Sequence, residues 1–166
     1  MAGTLVPTLR EQKSLSRPDV STATPTKALI CLVYASSAVE LFSMEQLVVL
    51  LERWRPKNAA LGVTGMLLYK GGNLIQALEG EEHAVRGLYD TIRTDPRHQG
   101  VIKLTEHAIA ERQFGDWSMA FRNLKDPSLR AVPGYSEFLN VPLDDASFAS
   151  QPTRAQKLLS TFRQTM

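Results

Sequence analysis

Cysteine is nearly absent from this 166-residue chain: Cys31 stands alone, which excludes an intrachain disulfide framework and suits a reducing cytoplasm. Histidine is scarce too, and His83, His98 and His107 fall at no metal-ligand spacing, so no metal site is expected. No apolar run approaches the length of a membrane span, and the opening residues lack the apolar core of a signal peptide. Charge of one sign is nowhere concentrated. The 19 basic and 17 acidic residues leave a net +2, with no Lys/Arg block and no basic stripe interleaved with aromatics. Neither a nucleic acid nor a membrane is therefore an expected partner. Catalytic signatures are missing as well: no P-loop, Gly-x-Gly-x-x-Gly, His-Glu-x-x-His or Cys-x-x-Cys occurs. A nucleophilic Cys31 is disfavoured, because it lies inside an apolar strand-like run where thiols are usually inert.

What is present is an ordinary globular composition, 43% hydrophobic and 22% charged, enough for one domain with a real core. Residues 1–27 are rich in Ser, Thr and Pro without periodicity and read as a disordered tail. A domain over 28–122 and a helical extension over 123–166 follow. The apolar run 28–35 reads as a buried strand, and Ser43-Met44-Glu45-Gln46 has the form of a capping box that opens a helix. Met44, Leu47, Val48, Leu51 and Trp54 give that helix one apolar stripe. Pro56 is expected to disturb or end it, with Asn58 following. Strands over 63–70 and 73–79 flank a Gly71-Gly72 hairpin turn. A second helix spans 81–94, with Val85, Leu88, Tyr89 and Ile92 on its apolar face, and Asp95-Pro96-Arg97-His98 ends it. Strands over 101–110 and 117–121 complete the order βαββαββ, an α+β ferredoxin-like arrangement with both helices on one sheet face. Helices are expected at 126–132 and 153–164. Leu158, Leu159 and Phe162 would dock the last one on the other face.

Gln76 is the misfit in this pattern. In the run Asn73-Leu74-Ile75-Gln76-Ala77-Leu78 it shares a strand face with Leu74 and Leu78, the face that turns to a core. A buried carboxamide without partners costs roughly 1–3 kcal/mol, so the protein or a ligand must satisfy it. In the ferredoxin-like order strands one and three are neighbours, which lets Tyr34 approach Gln76 on one face. Asn58 adds a second carboxamide, and Trp117 and Met119 alternate on the fifth strand. Singly, each has a plainer reading: Tyr34 a satisfied core tyrosine, Asn58 a helix-end residue, Trp117 and Met119 packing. Together they point to a pocket for a planar polar ligand, and no further.

These segments resemble the BLUF family, the flavin-binding sensors of blue light. The resemblance covers roughly 28–122, in matching order. It rests on Leu32-Val33-Tyr34-Ala35-Ser36, on Asn58-Ala59-Ala60-Leu61-Gly62-Val63-Thr64-Gly65, and on Gln76-Ala77-Leu78-Glu79-Gly80. It continues through Asp95-Pro96-Arg97-His98 and Trp117-Ser118-Met119-Ala120-Phe121. It implies a non-covalently bound FAD, with FMN as the other choice, held between the two helices of a non-enzymatic sensor. It further implies Tyr34 as electron donor, Gln76 as the bridge from Tyr34 to the flavin, and Asn58 as a contact to the ring's carbonyl/N–H edge. Asp95, Arg97 and His98 would contact the ring or its ribityl-phosphate arm, and Trp117 and Met119 would be the signalling positions. Output would pass to a downstream protein or to another subunit of a homo-oligomer. Trp54 departs from the pattern, standing where relatives often carry a small polar residue; it is either a competing electron donor or a packing residue.

Two other classes remain open from the residues alone. A ferredoxin-like acylphosphatase would need an Arg-bearing anion loop after strand one, and Tyr34-Ala35-Ser36-Ser37-Ala38 has no Arg. A ligand-free interaction module would differ from a sensor only in lacking a chromophore.

Overall fold

The computed structural model describes residues 28–115, 120–123 and 152–165. The chain runs β1 (Leu29–Ala38), α1 (Met44–Ala60), β2 (Thr64–Lys70), β3 (Asn73–Glu81), α2 (Glu82–Arg93), β4 (His98–Ile109), β5 (Ala120–Asn123) and α3 (Arg154–Thr165). The strands form one sheet in the order β4-β1-β3-β2-β5. All pairings are antiparallel except that of β2 with β5. This is the expected ferredoxin-like arrangement with a fifth strand appended. The expected helix at 126–132 lies outside the described residues.

Alternation along the strands sorts side chains into two cores. On the front face, Leu32, Leu67, Leu74 and Leu78 pack with Leu47 and Leu51 of α1 and with Val85 and Tyr89 of α2. On the rear face, Cys31, Val33, Met66, Leu68, Ile75 and Ala77 pack with Phe114 and with Ala155, Leu159 and Phe162 of α3. The terminal helix thus covers the sheet face that α1 and α2 leave open, as Leu159 and Phe162 led one to expect. Burial pushes the Cys31 thiol up to about 12, with the Glu79 charge adding to the effect, which keeps it protonated and unreactive.

Local chemistry sets the element ends. In α1 the Ser43 hydroxyl accepts from the Gln46 N–H at 3.3 Å, and the Gln46 carboxamide accepts from the Ser43 N–H at 2.7 Å, a complete capping box. Thr153 and Gln156 repeat the device at α3. The two-residue turn between β2 and β3 has Gly71 at φ 56 and Gly72 at φ 90, the doubly left-handed turn that matches strand twist.

Pro56 neither ends nor interrupts α1, which continues through it to Ala60. The stop comes at Gly62, whose φ of 63 is cheap only for glycine. There the Gly62 N–H bonds to the Ala59 carbonyl and the Val63 N–H reaches back to the Asn58 carbonyl, a Schellman motif. Proline removes one N–H bond near the helix end, whereas the motif satisfies several carbonyls at once. Asn58 therefore belongs to the last turn of α1 instead of following the helix.

Candidate functional site

Between α1 and α2, over the front of the sheet, lies a cleft of about 860 Å³. That volume falls within the range of small-ligand sites. β1 and β3 place the central pair at its base. Tyr34 and Gln76 are direct cross-strand partners. The Tyr34 hydroxyl donates a buried hydrogen bond to Oε1 of Gln76. Tyr34 is 1% exposed and Gln76 8%, so solvent offers the phenol almost nothing in exchange. Burial, reinforced by Tyr89 and Asp95, raises the Tyr34 pKa far above the phenol range. The ring stays a neutral donor, tilted against Tyr89 with 5.7 Å between centroids.

Asn58 presents a second buried carboxamide to the same cleft from the last turn of α1. Each carboxamide carries a carbonyl acceptor and two N–H donors, the complement of a flat ring with alternating carbonyl and N–H groups. Leu74, Leu88 and Ile92 supply apolar lining. Gly87 of α2 also borders the cleft, and a Cβ there would meet nothing within 4 Å, so open space adjoins the helix at this point.

The α2–β4 turn brings three more polar side chains. The Asp95 carboxylate accepts from the Arg97 backbone N–H at 3.0 Å and from Arg97 Nε at 2.9 Å, with Nη2 bonded to its other oxygen. Those Arg97 hydrogen bonds hold Asp95 down to about 2. The His98 ring shares a hydrogen bond with the Ser36 hydroxyl at 3.0 Å; burial lowers its pKa, Arg97 adding to this and Asp95 opposing it. Tyr34, Asn58, Gln76, Asp95, Arg97 and His98 thus line one cavity. Trp117 and Met119 lie outside the described residues.

Two features had no counterpart in the sequence reading. Arg97 lays its guanidinium over the Trp54 ring, 5.2 Å from the centroid. On the rear face, Glu79 is fully buried and accepts from the N–H groups of Gln113 and Phe114 at 2.9 and 3.0 Å. Burial raises its pKa against the pull of those bonds. Arg112 reinforces the junction through the carbonyls of Glu79 and Gly62 at 2.7 and 2.6 Å. The segment preceding β5 is thereby tied to β3, three residues beyond Gln76. A charged residue inside a strand was the available signal, although it does not reveal its partner.

A ferredoxin-like sheet with a phenol–carboxamide pair at the base of an interhelical cleft presents a site suited to a planar ligand that offers hydrogen-bond donors and acceptors. Residues 29–120, more than half of the chain, match the family described as sensors of blue light using FAD. The chain belongs to this BLUF family, whose members bind a flavin and serve as blue-light sensors. It is 37% identical over 106 residues to photoactivated adenylate cyclase subunit beta of Euglena longa, covering 63% of this chain and 12% of that protein. It therefore spans about an eighth of that relative's length. The structure of BlrB, a BLUF protein in its dark state, superposes with a TM-score of 0.59 at 31% identity over 84% of this chain and 98% of BlrB. Klebsiella pneumoniae BlrP1, solved with FMN and cyclic diGMP, gives a TM-score of 0.63 at 32% identity over 82% of this chain and 35% of BlrP1. Among the described residues no helix is long and apolar enough to cross a membrane.

Proposed function

We propose that the cleft between α1 and α2 holds FAD, and that Tyr34 and Gln76 carry the response to blue light. The observation supporting this most directly is the buried hydrogen bond from the Tyr34 hydroxyl to Gln76 at the base of the cleft. When bound, the flavin supplies blue absorption and an excited state able to take an electron. Tyr34 gives that electron, and its O–H proton leaves along the existing bond to Gln76 Oε1, because an oxidised phenol is a strong acid. Return of the electron and of one proton to Tyr34 then leaves Gln76 rotated or in its imidic tautomer, with no net change of oxidation state. The altered carboxamide presents different hydrogen bonds to the cleft, which is the source of a reversible red shift.

Asn58 holds the ring's carbonyl/N–H edge. His98 and the Nη1 group of Arg97, which Asp95 leaves available, address the ring or the ribityl-phosphate arm. FAD and FMN share both of these parts; the family's description favours FAD, and FMN occupies the BlrP1 structure. Trp117 and Met119 pass the change onward from the fifth strand. Output runs through contacts with a second copy or a downstream protein in the cytoplasm, and the chain itself catalyses no reaction.

Titration of the flavin-free protein with FAD and with FMN, followed by flavin fluorescence, tests the site. FAD binds, and Gly87→Leu weakens binding at least tenfold while leaving the protein folded, since leucine is the better helix former by roughly 0.7 kcal/mol or more. A chain that takes up neither flavin, or a Gly87→Leu variant that binds both unchanged, contradicts the assignment.

A further inference from the structure

Trp54 and Arg97 meet beside the cleft from opposite elements. Trp54 comes from α1 and Arg97 from the α2–β4 turn; both line the cavity, with the guanidinium over the indole. Asp95 pins Arg97 through its backbone N–H, Nε and Nη2, so the cation is not a freely swinging side chain. Arg97 is 41% exposed and Asp95 20%, so the stack stands at the boundary of the cavity and water. Resting on the flavin reading above, we infer that Arg97, pinned by Asp95, is a specificity-determining residue of the photochemistry: it keeps Trp54 from competing with Tyr34 as the electron donor.

The argument turns on where positive charge ends up. An electron passing from Trp54 to the photoexcited flavin leaves an indole radical cation facing a guanidinium. The attraction between cation and ring face is lost, and repulsion takes its place. The lost attraction alone, for a partly exposed pair, disfavours oxidation about two- to fivefold. Tyr34 has the opposite surroundings. An electron passing from its phenol to the same acceptor is followed by transfer of the O–H proton to Gln76 Oε1, so positive charge leaves the ring. The cleft thus offers one aromatic donor a proton acceptor and the other a cation.

The test is a two-residue cycle read by transient absorption and by the yield of red-shifted state per absorbed photon. Arg97→Gln lowers that yield, by less than the gain in the Trp54 rate itself, and brings up tryptophan-radical absorption. In the Trp54→Phe background the same substitution costs less yield per bound flavin than it does in the parent. Arg97→Lys, which keeps the cation, retains most of the yield. An unchanged yield in Arg97→Gln, an equal loss with and without Trp54, or a loss in Arg97→Lys as deep as in Arg97→Gln overturns the inference.

A second readout needs no flavin. In the flavin-free protein, azide radical oxidises Trp54 faster in Arg97→Gln than in the parent, mapped by mass spectrometry of the Trp54 peptide. Equal rates overturn the inference. A chain that binds neither FAD nor FMN refutes the sensor assignment separately, and the azide measurement still decides whether Arg97 protects Trp54.

Discussion

Gln76→Leu puts the central hydrogen bond under the sharpest test, because its two partners are unequally placed. Tyr34 is 1% exposed and its hydroxyl donates to Gln76, so leucine strands a buried donor that water cannot reach. Leaving such a group unsatisfied costs about 1–3 kcal/mol. Tyr34→Phe removes the donor and leaves a carboxamide with further capacity and some contact with solvent, at a cost of about 1 kcal/mol. Removing both partners leaves no orphan, so the double variant is less destabilised than Gln76→Leu alone. Urea denaturation of the flavin-free proteins measures all four corners of the cycle. Melting temperatures follow at roughly 3 °C per kcal/mol for a chain of this size. With flavin bound, both single variants stay yellow and lose the light-induced shift. Single-variant costs that simply add in the double variant, within about 0.5 kcal/mol, refute the coupling. A normal photocycle in Gln76→Leu refutes the assigned mechanism.

Leu159 is completely buried against the rear of the sheet, so Leu159→Ala costs about 2–5 kcal/mol by urea denaturation; a loss under about 1 kcal/mol contradicts the docking of α3. Asp95 lies at about 2 in the folded chain, below the ordinary carboxylate value near 4. Its folded pKa is depressed, so its stabilisation is present above about pH 4 and is lost as pH falls through about 2. Asp95→Asn therefore costs no more than about 1 kcal/mol at neutral pH, given the partial exposure of the pair, and the gap to the parent closes on acidification. A gap that widens toward low pH contradicts the Asp95–Arg97 pairing.

The strands and the central pair were legible because burial writes directly into apolar runs. Tyr34 and Gln76 each stood on a core-facing alternation, and the ferredoxin-like order made them neighbours. The capping box at Ser43 and the glycine pair after β2 were equally local signals. The end of α1 is hard to read from sequence because Pro56 is a strong local breaker, while the Schellman bonds around Gly62 involve backbone groups common to every residue type. The start of β4 at His98, earlier than the apolar run suggested, depends on pairing with Ser37 and Ala38 at the sheet edge. The stack of Arg97 on Trp54 and the tether of Glu79 to Gln113 and Phe114 join residues more than thirty positions apart. Periodicity describes one element at a time, so contacts of this kind leave no trace in it.

The most direct test of the central claim is the light-minus-dark absorption spectrum of the unsubstituted chain loaded with FAD. If Tyr34 and Gln76 rearrange around a bound flavin, blue light moves the absorption band to longer wavelength without bleaching it, and darkness restores it. An illuminated spectrum identical to the dark one, in protein that demonstrably holds flavin, contradicts the account.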